Sequence, residues 1–184
     1  MKDISPPVPL EALKDELTSE KFIRKTNKAG NKIYIINAND SPNVMREIGR
    51  LRELSFRQAG GGTGLECDLD EYDTGQNCYK QLIVWDPDEE AILGGYRFII
   101  CGTGNCFREG KVSLATGKLF NFSDEFVDNY LPHMIELGRS FVQPCLRLGA
   151  AVGVSQADVR GGVRLADCGQ PGDQRAPGPD DVAR

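Results

Sequence analysis

Three groups of residues in this chain have the types and spacing to do chemistry. Arg52 and Phe56 lie one helical turn apart in a segment of helical periodicity. An acidic stretch, Glu66-Cys-Asp-Leu-Asp-Glu-Tyr-Asp73, follows. Gly95-Tyr-Arg97 and Glu136-Leu-Gly-Arg139 then set two arginines and a glutamate into strand-like runs. Arg97 sits among apolar neighbours, and alternation points it the same way as Leu93, Ile99 and Cys101. A guanidinium there needs a partner, because an isolated buried charge costs several kcal/mol. Asp70 and Asp73 offer one. Glu136 and Arg139 are three apart, so strict alternation separates them, and a bulge at Gly138 would bring both onto one face. Two compatible readings follow. An ion network could pin the acidic loop to the sheet, or the cluster could bind and deprotonate a polar acceptor.

Other chemistries fit less well. Gly60-Gly-Gly-Thr-Gly64 lacks the Gly-Lys-Ser/Thr of a phosphate loop and does not join a strand to a helix, so it reads as a flexible connector. The acidic stretch lacks the spacing and closing glutamate of a calcium loop. His133 is the chain's one histidine and reads as a surface or capping residue, so a hydrolase triad is not expected. The six cysteines contain no CxxC pair, and no metal site is expected. They read as free thiols of a reducing compartment. A net charge of -5 argues against general nucleic-acid binding. The polar N-terminus and the lack of a long apolar run point to a cytoplasmic chain.

The elements that must position these residues read as follows. Residues 10–25 predict a short amphipathic helix, and 32–38 a strand. Asp40-Ser-Pro42 opens a helix to about Arg57, with a side-chain cap and proline in its first turn. Its stripes are Val44, Ile48, Leu51 and Ser55, then Met45, Gly49, Arg52 and Phe56. Runs 80–85 and 91–101 predict strands joined by the turn Asp86–Glu90. Residues 102–118 read as irregular, Ser123 opens a short helix to about Tyr130, and 134–142 predict another strand. This order is α/β in the α+β sense, with an antiparallel start to the sheet.

Composition changes at Cys145. From there to Arg184 there is no lysine, glutamate, isoleucine, asparagine or aromatic residue. Such a segment buries too little apolar area to offset its ordering entropy. The chain is therefore read as a folded part, 1–144, and a disordered tail, 145–184, which is either a flexible C-terminal extension or, taken with the resemblance described next, the product of a frameshift or artificial junction.

Taken in order, Arg52-Glu-Leu-Ser-Phe56, Asp70-Glu-Tyr-Asp73, Gly95-Tyr-Arg97 and Glu136-Leu-Gly-Arg139 resemble acyl-homoserine-lactone synthases and their relatives. The stretches SPNVMREIGRLRELSFR, YKQLIVWDP, ILGGYRF and IELGRSFVQP are closer to the hemolysin-like branch of the GNAT family, the ornithine- and glycine-lipid N-acyltransferases. The resemblance covers about residues 8–144. It implies a GNAT-like mixed sheet flanked by helices and splayed near its centre. It implies a (3-hydroxy)acyl donor carried by acyl carrier protein, or by coenzyme A, and a small amine acceptor such as glycine or ornithine. No bound cofactor is implied. Glu136 matches the position expected to take the amine's proton. Arg97 and Arg139 would hold the acidic network and orient the acceptor, Asp70 and Asp73 would shape its pocket, and Arg52 and Phe56 would lie near the donor channel. Lys21, Arg24, Lys25 and Lys28 would form a docking patch for the acidic carrier protein. Peripheral association with the inner face of a membrane is compatible with a lipid product. After Pro144 the family's helix and further strands are replaced, so the resemblance also implies a site cut in its second half and a chain inactive alone. The alternatives are a non-catalytic carrier-protein or acyl-binding module, a signal-lactone synthase, and an O-acyltransferase acting on a lysolipid.

Overall fold

A computed structural model describes residues 1–144 other than 76 and 105. The expectations for 145–184, disorder and a foreign origin, lie outside the described residues.

The expected helix over 10–25 is three elements. Helix α1 (Leu10–Glu16) stops early, a 3-10 turn covers Ser19–Lys21, and Phe22–Lys25 is strand β1. The apolar positions after Glu16 serve pairing: β1 runs antiparallel to β2 (Lys32–Ile36), with Phe22 opposite Tyr34. Helix α2 (Pro42–Gln58) has the expected extent, and its stripes bury Val44, Ile48, Leu51, Met45, Gly49 and Arg52. Its cap is not the expected one. Ser41 Oγ donates to Asp40 Oδ1 and accepts from Lys21 Nζ, so it is unavailable. The α2 N-terminus is capped instead by Glu16 of α1, which accepts from the backbone N–H of Asn43 (3.0 Å) and Val44 (2.8 Å).

Strands β3 (Lys80–Asp86) and β4 (Ala91–Ile100) form the expected hairpin, with Asp86 Oδ1 accepting from the N–H of Asp88 and Glu89 in the turn. The irregular stretch holds a two-stranded ribbon, β5 (Phe107–Arg108) with β6 (Lys111–Val112), and a 3-10 turn, Ala115–Lys118. Ser123 caps α3 (Asp124–Asn129) by accepting from Phe126 N–H. A further 3-10 turn, Leu131–His133, leads into β7 (Ile135–Val142). The main sheet has the order β1-β2-β3-β4-β7, antiparallel at every described pairing.

Helices α1 and α2 pack on one face against Tyr34, Ile36, Ile83, Trp85, Ile92 and Phe141. The other face carries Ile33, Leu82, Val84, Leu93, Tyr96 and Phe98, all buried. Leu93 therefore does not share a face with Arg97, contrary to strict alternation. Val84 pairs with Gly94 and Trp85 with Ile92, so Leu93 is an extra residue in β4, and that bulge resets the phase. Ile99 and Cys101 do lie on the side of Arg97, in a third cluster with Tyr72 and Tyr79.

Candidate active site

The acidic loop is positioned by α2. Asp68 N–H donates to Gly49 C=O at 2.9 Å, and Leu69 rests on Gly49 itself. A Cβ at Gly49 would stand 2.6 Å from Leu69 Cγ, so the loop sits where the helix lacks a side chain. The preceding Gly-rich segment is tied down rather than a free connector. Thr63 N–H, Thr63 Oγ1 and Gly64 N–H all donate to the Glu53 carboxylate, which Arg57 also holds. Burial works against charge on Glu53, but these bonds outweigh it and hold the carboxyl down at about 2.

So anchored, the loop meets the arginines in an alternating series. Arg52 Nη1 bonds Asp73 Oδ1 at 3.0 Å, and Arg97 Nη1 bonds Asp73 Oδ2 at 3.1 Å and Asp70 Oδ1 at 2.7 Å. Arg139 Nη2 reaches Asp70 Oδ2 at 3.5 Å, and its Nη1 reaches Asp68 Oδ1 at 2.8 Å. Three arginines thus alternate with three aspartates. Gln81 braces the inner end, accepting from Arg52 Nη2 (2.6 Å) and donating to Asp73 (3.0 Å). Exposure of the arginines rises from 0% at the Arg52 side chain through 4% at Arg97 to 33% at Arg139, while Asp68 beyond it stays buried. Burial opposes charge on Asp70, and the bond and charge of Arg97 outweigh it, lowering the carboxyl from its ordinary value. On Asp68 burial prevails over Arg139 and Arg52, and the carboxyl is raised.

Arg139 joins this face through a bulge, as expected, but the strained residue is Arg139 and not Gly138. Gly95 pairs with Phe141 and Arg97 with Gly138, so β7 carries one residue more than β4 between those pairs. Arg139 takes a left-handed φ of 52° there.

Glu136 is on the same side of the sheet but outside the series. Its Oε1 accepts from Thr116 N–H (2.8 Å), and its Oε2 accepts from Ala115 N–H (3.2 Å) and from Tyr79 OH. Tyr79 links the two groups. The Arg97 guanidinium lies 5.2 Å from the Tyr79 ring centroid and 5.5 Å from that of Tyr72. Burial, then the bond to Glu136, raises the Tyr79 phenol and keeps it protonated as a donor. Tyr79, Asp68 and Gln81 are the members that sequence reasoning did not single out. An acidic segment with aspartates at 68, 70 and 73 facing three arginines was the available signal for Asp68. A tyrosine just before a strand gave none for Tyr79.

The remaining expected residues are placed elsewhere. Phe56, on α2, is partly buried and packs against the core between the helices and the sheet. Lys21 is not free for docking, since its Nζ donates to Glu16 C=O, Asp40 C=O and Ser41 Oγ, each at 2.8 Å. Arg24 Nη1 bonds Lys25 C=O, while Lys25 and Lys28 are exposed. Cys67, Cys78, Cys101 and Cys106 are free thiols, as expected. Burial pushes the Cys101 thiol up to about 12, so it is not a nucleophile at neutral pH.

Comparison with known proteins bears on this arrangement. The chain is 59% identical over 143 residues to a glycine N(alpha)-acyltransferase of Bacteroides thetaiotaomicron, covering 77% of this chain and 42% of that protein. It is 55% identical over 142 residues to a glycine N(alpha)-acyltransferase of Phocaeicola vulgatus, covering 77% of this chain and 44% of the relative. The chain thus spans less than half the length of these curated relatives. No solved structure gives a significant match. Residues 51–155, which include every member of the arginine–aspartate series and Glu136, match the family described as acetyltransferase (GNAT) domain, and the chain belongs to that family.

Proposed function

We propose that this chain carries the acceptor side of an N-acyltransferase site, which moves an acyl group from a thioester to the amine of glycine. The observation that carries the reading is the identity, 59% and 55%, to two glycine N(alpha)-acyltransferases over three quarters of the chain. The amine must be neutral to attack. Its nitrogen adds to the thioester carbonyl, the C–S bond breaks, and the thiolate leaves and takes up a proton. Glu136, directly or through a water, receives the proton lost by the amine. Arg139, the arginine of the series open to solvent, receives the acceptor's carboxylate. Arg97 is held by Asp70 and Asp73 and holds the frame. The donor is a (3-hydroxy)acyl thioester of acyl carrier protein or coenzyme A, and ornithine is the alternative acceptor. Lys25 and Lys28 are the exposed cations offered to an acidic carrier. The reading places the reaction in the cytoplasm, at or near the membrane that takes the lipid product.

The test is a chimera in which residues 1–144 replace the matching segment of the Bacteroides relative. It is expected to convert glycine and an acyl-carrier-protein thioester into N-acylglycine, read by mass spectrometry. Glu136→Gln in the chimera is expected to lower turnover by at least about a hundredfold. A folded chimera that makes no product sinks the reading. A second reading, a non-catalytic acyl-binding module, draws on the three donors that already occupy the Glu136 carboxylate. Turnover unchanged by Glu136→Gln would remove that residue from the mechanism.

A further inference from the structure

Beside the C-terminus of α1 lies a cleft of about 280 Å³. It stands at the end of β3 opposite Gln81. Trp85, which lines it, is four residues along the strand from Gln81, about 13 Å at ~3.3 Å per residue, so the cleft is separate from the arginine–aspartate series. Leu17, Pro87 and the rings of Tyr34 and Trp85 form its walls. Lys14, Lys32 and Glu90 bring charge to it. Lys32 and Tyr34 alternate onto one face of β2, and Trp85 pairs with Lys32 across the ladder, which gathers the three side chains. Tyr34 and Trp85 are each only 6% exposed. Neither the Tyr34 O–H nor the Trp85 indole N–H makes a hydrogen bond to a described residue. Burial alone raises the Tyr34 phenol, so it is a protonated donor at neutral pH. Lys32 Nζ, half-buried, has no ion-pair partner among the described residues either. The one carboxylate of the lining, Glu90, pairs with Lys14 Nζ at 2.5 Å. Buried donors without acceptors are costly, and a ligand that supplies the acceptor removes that cost.

We infer that this cleft binds a small monocarboxylate with an apolar body, at a place separate from the acyl-transfer site. The carboxylate accepts from Tyr34 O–H and Lys32 Nζ, and the body lies against Trp85, Leu17 and Pro87. The inference goes beyond the acyl-transfer reading and does not depend on it. Charge selects the ligand. Two lysines and one glutamate leave the lining one net positive charge. A carboxylate matches it, whereas the second charge of a phosphate would face no cation of its own. Among the described residues no arginine lines the cleft, so the planar fork that favours phosphate is missing. Volume selects further. The space is about nine times the ~30 Å³ that one water occupies in the liquid, more than a bare carboxylate fills, and its walls call for carbon.

Trp85 is the chain's one tryptophan, so tryptophan emission reports on this cleft. Titration of the 184-residue chain with 3-phenylpropanoate, followed by calorimetry and by emission, tests the assignment. Saturable heat with a matching change in emission is expected. The uncharged counterpart, 3-phenylpropanamide, is expected to bind at least about tenfold more weakly. Acetate, which lacks the body, and inorganic phosphate should also bind more weakly than 3-phenylpropanoate. Lys32→Met should weaken the carboxylate about tenfold and leave the amide unchanged. Tyr34→Phe removes a hydroxyl that bonds no described residue, so melting should hold or rise while carboxylate affinity falls about tenfold. A purely structural role for Tyr34 would not split the two readouts in that way. No saturable heat, heat without a change in Trp85 emission, or an amide that binds as tightly as the carboxylate overturns the assignment. So do affinities that neither variant alters. The activity of the chimera bears on the acyl-transfer reading alone.

Discussion

The two sides of Tyr79 handle charge in opposite ways. Toward α2, three arginines and three aspartates neutralise one another in a series closed over by the loop and helix. Toward β7, a single carboxylate faces backbone amides and an apolar cavity, with no cation among the cavity's described lining. The first arrangement is paired within itself and sets geometry. The second leaves a carboxylate held by three donors beside open space. A phenol bonded to the second and stacked under the first couples them.

The largest blow to this contrast should come from the inner end of the series. Arg52→Met leaves Asp73 buried with one of its two arginines gone, and urea unfolding should show a loss of about 3–5 kcal/mol. A loss under 1 kcal/mol would mean the series is ornamental. Glu53→Gln comes next, at about 2–3 kcal/mol, because it weakens the knot that ties the loop. That effect has a pH signature. The folded carboxyl is held at about 2 against an ordinary 4.5, so its contribution is full above 4.5 and fades as pH falls toward 2. The gap between wild type and variant should therefore close over that interval.

Gly49→Ala should cost about 1–3 kcal/mol despite alanine's better helix propensity, because the added carbon displaces Leu69. A neutral or stabilising result would show that the loop is not seated on the helix. The smallest effect belongs to the link itself. Tyr79→Phe should cost about 1 kcal/mol and speed amide exchange at Ala115 and Thr116, leaving the loop amides protected. Exchange that rises equally on both sides would erase the distinction between them.

Much of this was legible from residue types alone. A lone arginine in an apolar strand demands a carboxylate, and Arg97 has the two that were expected. Helix α2 and the hairpin followed from periodicity and turn chemistry. What could not be read depended on pairings far apart in the chain. The cap on α2 comes from Glu16, 27 residues before Asn43, because Ser41 is taken by Lys21. The phase of Leu93 changed because β4 has one residue too many for its partner, a property of two strands and not of one. The bulge in β7 was expected at the glycine, where left-handed backbone costs least, yet it falls on Arg139. The bonds from Arg139 to Asp68 and Asp70 offset that cost and take the side chain to the acidic loop.

The rise in exposure from Arg52 to Arg139 has a further consequence. Dissolved ions can enter it from one end. At physiological ionic strength screening acts over about 8 Å in water and much less where groups are buried. Added salt will therefore loosen Arg139 from Asp70 more than from buried Asp68, while Arg52 and Asp73 remain locked. The outer arginine becomes a place where a small anion can exchange in and out, at the end of a buried frame.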